Sequence, residues 1–301
     1  MKIREDAMAW LHYRIVDVFT TEALAGNPLA VFTDASQIDE VVMQKIAREM
    51  NLAETTFVLP SEDPTCAARV RIFTPKKEMI FAGHPTIGTS FVLLDEKRVP
   101  QGCEFFSLEE KVGPVRIWVE NGAPPMIWLR TPPISEGRLY ERSLCAHALG
   151  LESADLLDVS PQILNAGNPT LLIPLKDEGA VDRAWLDMQE MRTLRDGEAE
   201  PFCVFVFSQT RGGAYSRMFA PEYGIAEDPA TGSSTGPLAA FMIKHGLLTG
   251  AADTRFISEQ GTKMGRRSLL HVRIAGDKGA EGIYVGGNVT AIAEGTMKLS
   301  C

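Results

Sequence analysis

The chain alternates between short strand-like runs and two longer, nearly uncharged apolar stretches. Tyr13 to Phe19 (Y-R-I-V-D-V-F) alternates and predicts the first strand, with residues 1–11 as a ragged extension ahead of it. Ala25 to Phe32 (A-G-N-P-L-A-V-F) reads as a turn followed by an apolar strand. Asp39 to Met50 has helical spacing, with Val42, Ile46, Ala47 and Met50 on one face and Asn51 as the stop. Thr55 to Leu59 is β-branched and apolar, so Glu54 stands at the mouth of a strand just after a helix. Arg69 to Phe73 alternates again. The two long apolar stretches, about Thr86 to Leu94 and Gly236 to Lys244, predict helices buried on most sides, each preceded by a loop of small and polar residues.

The pattern occurs twice. A-G-N-P-L-A-V-F at Ala25 matches A-G-N-P-T-L-L-I at Ala166, and R-I-F-T-P at Arg71 matches R-M-F-A-P at Arg217. The loop-to-helix segment F-A-G-H-P-T-I-G-T-S-F-V at Phe81 matches A-T-G-S-S-T-G-P-L-A-A-F at Ala230. V-R-I at Val115 against V-R-I at Val272 is a weaker fourth match. The order is the same and each offset is near half the chain, too long for a solenoid. Two pseudo-symmetric α+β domains follow, residues 1–133 and 134–301, with a boundary in the proline-bearing segment Met126 to Gly137. Whether the last strand packs in the second domain or returns to the first is open in the sequence.

Composition sets the class. At 301 residues, 45% hydrophobic and 23% charged, the chain has the make-up of a soluble globular protein with room for two cores. A formal charge of −9 argues against nucleic acid or an anionic membrane surface as partner. The first residues carry charges where a signal peptide needs its apolar core, and no run is long enough to span a bilayer. The five cysteines, Cys66, Cys103, Cys145, Cys203 and Cys301, lack metal-ligand or C-x-x-C spacing, which suits reduced thiols in a cytoplasm.

The candidate chemistry gathers at the helix mouths. In E-D-P-A-T-G-S-S-T-G-P-L, Gly232 permits close backbone approach, and Ser233, Ser234 and Thr235 can cap the helix or donate to an anion. A helix start leaves N–H groups unpaired and is a seat for a carboxylate, so Asp228 beside it is a candidate acid/base; the plainer reading is part of a helix cap. His84, placed just before the first apolar helix, reads alone as structural. The repeat changes that, because a pseudo-twofold would set His84 facing Ser233 and Asp228 across a cleft holding a small anionic substrate. Two other classes compete. Gly232 to Gly236 satisfies G-x-S-x-G with Ser234 as a hydrolase nucleophile, and Asp253 and His271 as later partners, but A-E-D-P-A-T is a poor strand to precede it. The alternative is a binding protein without catalysis. The sequence has no P-loop, no dinucleotide glycine motif in a strand–helix setting and no H-E-x-x-H.

A-G-N-P-L-A-V-F, N-L-A-E-T-T-F-V, F-A-G-H-P-T-I-G and E-D-P-A-T-G-S-S-T-G-P-L together resemble the PhzF family of phenazine-biosynthesis-like isomerases, and the resemblance runs from about Tyr13 to the C-terminus through E-Q-G-T-K-M-G-R and Y-V-G-G-N-V-T. It implies the diaminopimelate-epimerase-like fold, two domains each with a curved mixed sheet around a central helix. It also implies a homodimer, and isomerisation of a dihydro-hydroxyanthranilate with no metal or organic cofactor. By motif, Glu54, His84, Asp228 and Ser233 are the implied catalytic residues, with Glu54 moving a proton at a pKa raised by burial. Gly83, Gly232, Ser234 and Gln260 are the implied substrate-binding residues. The epimerase relatives act with a cysteine at each helix mouth. Here those mouths carry His84 and Ser233, which argues against two-thiol racemisation.

Overall fold

The first strand begins earlier than its alternation suggests. In a computed structural model, which describes residues 9–275 and 282–299, β1 (Ala9–Val18) pairs antiparallel with β18 (Val289–Leu299). The extension expected over 1–11 is therefore strand from Ala9 onward, and its first eight residues lie outside the described residues. Leu11 explains the difference, because it is buried in the core while Trp10 points outward, continuing the in–out alternation backwards.

The chain divides into two compact units. One holds the described residues up to Leu129 together with those from Gly287 onward; the other is Arg130–Gly286. In the first unit, β2 (Asn27–Phe32), α1 (Glu40–Met50), β3 (Glu54–Leu59), β4 (Ala68–Phe73), the short β5 (Glu78–Met79), α2 (Gly83–Asp95), β6 (Phe105–Glu110), β7 (Gly113–Glu120) and β8 (Met126–Arg130) follow β1. The sheet runs β18-β1-β2-β3-β4-β6-β7-β8, with β5 paired to β4. The β2–β3 and β4–β6 pairs are parallel and the rest antiparallel. Asp39 caps α1 by accepting from the Val42 N–H, and Asn51 closes it in the left-handed region at φ 51°. One sheet face carries α1 on Phe32, Phe57 and Phe73. Ten of the thirteen residues of α2 are buried, so this helix forms a core of its own unit. Burying Ile87, Val92 and Leu93 contributes about 1.5–3 kcal/mol each. Gly88 lets the helix approach the sheet, since a Cβ there would stand 2.6 Å from Leu29 Cδ2.

The second unit repeats the scheme. Its elements are β9 (Ser135–Leu139), α3 (Arg142–Ala148), β10 (Gln162–Asn165), β11 (Pro169–Leu175), α4 (Glu178–Arg183), α5 (Met188–Leu194), β12 (Cys203–Thr210), β13 (Gly213–Ala220), β14 (Ile225–Asp228), α6 (Gly232–Lys244), β15 (Arg255–Gln260), β16 (Ser268–Ile274) and β17 (Ile283–Gly287). Its sheet runs β9-β10-β11-β12-β13-β15-β16-β17, with β14 paired to β13. The parallel pairs, β11–β12 and β13–β15, fall at the same two places as before. Helices α3 to α5 cover one face, and α6 packs Leu238, Phe241 and Met242 on the other. The architecture is α+β, two units each with a mixed sheet and a central buried helix.

Both central helices start earlier than their apolar stretches. α2 begins at Gly83, which puts His84 in its first turn instead of ahead of it. α6 begins at Gly232, because Thr235 donates both its N–H and its hydroxyl to the Thr231 carbonyl and winds the small residues into a turn. Pro237 is accommodated inside the helix. The repeated R-x-F motif also keeps its chemistry. Arg71 lies over Phe73 and bonds Glu78 on β5, and Arg217 lies over Phe219 and bonds Glu227 on β14. Among the described residues no helix is long and apolar enough to cross a membrane, and none of Cys66, Cys103, Cys145 and Cys203 forms a disulfide.

Candidate active site

In the first unit the A-G-N-P turn places a polar side chain inside the core. Gly26 sits at φ 66°, and a Cβ on it would come within 2.3 Å of the Val18 carbonyl oxygen, so only glycine turns the chain here. The turn delivers Asn27, fully buried, to the start of β2. Its Nδ2 lies 3.3 Å from Nδ1 of His84. An amide nitrogen only donates, so Nδ1 accepts and the proton of the neutral ring sits on Nε2. Nε2 in turn faces Oε2 of Glu54 at 3.4 Å. Glu54 is the first residue of β3, with 13% of its side chain exposed. Two effects oppose at the ring: the neighbouring carboxylate favours imidazolium, and burial disfavours it. The ring is enclosed, and burial pushes its pKa down to about 3. In 15N-labelled protein His84 is therefore expected to show a protonated Nε2 and a bare Nδ1 from pH 5 to pH 8. An imidazolium signal in that range would remove the assignment.

The second unit has its own polar group at the end of β14 and the start of α6. Asp228, 6% exposed, ends β14. Its Oδ2 accepts from the Thr231 hydroxyl at 2.5 Å. The Gln260 amide donates to the Asp228 carbonyl at 2.7 Å and to Thr231 Oγ1 at 3.0 Å, and its oxygen accepts from the Thr231 N–H at 3.1 Å. Because the amide donates to Thr231, the hydroxyl proton is directed to Asp228, which is thereby held as an acceptor. Gln260 is fully buried and holds this loop. Ser233, partly exposed in the first turn of α6, accepts from Asn168 Nδ2 at 3.3 Å. Gly83 and Gly232 open the two helices, where backbone N–H groups have no partner within the helix.

Ser234 lies elsewhere in the packing: it is fully buried and shares a 2.8 Å hydrogen bond with Thr170 on β11. This overturns the serine-hydrolase alternative. The hydroxyl is engaged by another hydroxyl instead of an imidazole, and Asp253 pairs with Arg273 at 3.2 Å.

Three residues were not singled out from the sequence. Asn27 and Asn168 occupy the same place in the two A-G-N-P repeats, and each holds the residue after the first glycine of its helix, His84 or Ser233. The signal was present in the repeated asparagine. Thr231 is the third; no spacing rule distinguishes it from an ordinary cap residue.

These side chains stand at corresponding places of a duplicated α+β unit. The sequence matches the family described as phenazine biosynthesis-like protein (PhzC-PhzF) over residues 16–295, and the chain belongs to that family. An uncharacterized isomerase of Mesorhizobium japonicum is 36% identical over 306 residues, covering 95% of this chain and 98% of its own. A trans-2,3-dihydro-3-hydroxyanthranilate isomerase of Pseudomonas chlororaphis is 34% identical over 297 residues, covering 96% and 99%. Among solved structures, a PhzF-family phenazine biosynthesis protein of Bacillus anthracis superposes with a TM-score of 0.86 at 24% identity, over 96% of this chain and 99% of that one. A probable proline racemase of Agrobacterium radiobacter shares the fold, with a TM-score of 0.65 at 13% identity over 95% and 92%. The protein is an isomerase with the epimerase-like fold, so the purely binding alternative falls.

Proposed function

We propose that the protein moves a proton between carbons of a small cyclic or amino carboxylic acid, with Glu54 as the group that removes and returns it. The observation that carries this reading is the Glu54–His84–Asn27 arrangement. A neutral imidazole beside the carboxylate leaves it basic, where an imidazolium would stabilise its anion and weaken it as a base. The substrate class is a carboxylated ring with an sp3 carbon next to a conjugated system, as in the compound that names the Pseudomonas chlororaphis relative. Glu54 takes the proton from that carbon, the electron pair shifts along the conjugated system, and the Glu54 carboxyl returns a proton at its far end. Atoms and charge balance with no further reactant. Asp228, oriented by Thr231, and Ser233, oriented by Asn168, hydrogen-bond the ring substituents. Backbone N–H groups at Gly83 and Gly232 receive the carboxylate.

The test is solvent deuterium incorporation. The protein is incubated in D2O with trans-2,3-dihydro-3-hydroxyanthranilate and a panel of cyclic and amino carboxylic acids, and proton NMR follows each carbon-bound hydrogen. Exchange or isomerisation of a ring acid supports the reading. Exchange only at the α-carbon of amino acids would replace it with racemisation, and silence across the panel would remove the substrate class.

A further inference from the structure

Glu110 ends β6, and none of the chemistry above uses it. It is 4% exposed, and its Oε1 lies 2.6 Å from Oγ1 of Thr86, in the first turn of α2. The same hydroxyl lies 2.7 Å from the carbonyl oxygen of Ala82, the residue that precedes the helix. A hydroxyl has one proton and a carbonyl has none to give, so both contacts are hydrogen bonds only if the carboxyl supplies the second proton. Glu110 then donates to Thr86, and Thr86 donates to Ala82. Its other oxygen is consistent with this state, since Oε2 is buried and has no hydrogen-bond partner among the described residues. That position is tolerable for a neutral carbonyl and costly for a carboxylate.

The charged groups on the surrounding elements do not change the count. On β4, beside it, Arg71 bonds Glu78 and Arg69 pairs with Glu62 and Glu109, and Lys111, in the turn that follows Glu110, also bonds Glu78. On β7, Arg116 lies over Phe105 and Glu120 accepts from Trp128. On α2 the titratable group of the first turn is His84, two residues before Thr86, and Asp95 at the far end pairs with Arg14. None of these bonds Glu110.

We propose that Glu110 is a positioning residue for the isomerase: as the neutral acid it locks the first turn of α2 through Thr86 and Ala82, and so fixes His84 against Glu54. The inference rests on the role given to His84 above. Burial pushes the Glu110 carboxyl up to about 8, so the lock opens on the alkaline side. Once ionised, Glu110 can only accept, and the single Thr86 hydroxyl proton serves either it or the Ala82 carbonyl; in the first case the carbonyl keeps only the Thr86 N–H at 3.3 Å, and in the second the buried carboxylate has no donor.

Two readouts test this. Infrared difference spectra of wild type against Glu110→Gln are expected to show a protonated-carboxyl carbonyl band at pH 6 that disappears as pH rises through about 8. Over the same range the His84 ring resonances are expected to shift in wild type and stay flat in Glu110→Gln, whose amide keeps the donor and cannot ionise. Thr86→Val is expected to keep the titrating band and lose the His84 shift. With an active substrate, wild-type kcat/KM should fall about tenfold per pH unit beyond the inflection and that limb should vanish in Glu110→Gln. An absent carboxyl band at pH 6, or identical His84 shifts in wild type and Glu110→Gln, overturns the proposal. The spectroscopic arms need no turnover, so a silent substrate panel would count against the reaction and leave this test standing.

Discussion

Glu54→Gln is expected to lower carbon-bound proton exchange about 10³-fold, equivalent to about 4 kcal/mol of transition-state stabilisation. The amide has the shape of the carboxylate and can keep an oxygen facing His84 Nε2, as Oε2 does at 3.4 Å, so the pocket keeps its packing. What it loses is the ability to hold the transferred proton. The loss should therefore appear in kcat far more than in KM, since a group acting only in proton transfer adds little to ground-state binding. A drop of only a few fold, with an unaltered His84 spectrum, would move the base elsewhere and end the reading of Glu54.

The largest expected stability effect lies at Arg217. This guanidinium is 4% exposed, grips both oxygens of Glu227 at 2.9 and 2.8 Å, and donates to the carbonyls of Val181, Asp182 and Ala184. Arg217→Met keeps much of the volume and leaves three carbonyls and a largely buried carboxylate without their donor. Breaking one side of such a pair costs about 3–5 kcal/mol. The urea midpoint should fall accordingly, with hydrogen exchange locating the loss within residues 130–286. The matching change at Arg71 should cost less, roughly 1–3 kcal/mol, because Glu78 retains Lys111 at 2.9 Å. Equal losses at the two arginines would show that burial is not what sets the cost. Asp228 directly follows Glu227 on β14, so Arg217→Met is also expected to weaken catalysis.

Much of this molecule was legible in its sequence because the relevant information is local or duplicated. Helix α1 could be bounded from Asp39 and Asn51 because a cap and a left-handed stop act within one turn. The two units were legible because A-G-N-P, R-x-F-x-P and the loop-to-helix segment each occur twice in the same order. His84 and Ser233 were singled out through the duplicated loop-to-helix segment, Asp228 from its place beside a helix start, and Glu54 from its place at the mouth of a strand and from the family resemblance. The starts of α2 and α6 were missed by three or four residues, because small polar residues carry no apolar periodicity and the bonds that wind them run to Ala82 and Thr231.

What the sequence determined by itself was the strand and helix types, the duplication and which titratable side chains stand beside the helix starts and strand mouths, since these follow from side-chain periodicity, repeated motifs or position along the chain. The tertiary structure decided which of those groups meet and in what protonation state. Asn27 and His84 are 57 positions apart, Asp228 and Gln260 are 32, and Thr86 and Glu110 are 24. Hydrogen bonding depends on distances of about 3 Å and burial on the whole surrounding core, and neither quantity is carried by neighbours in the chain.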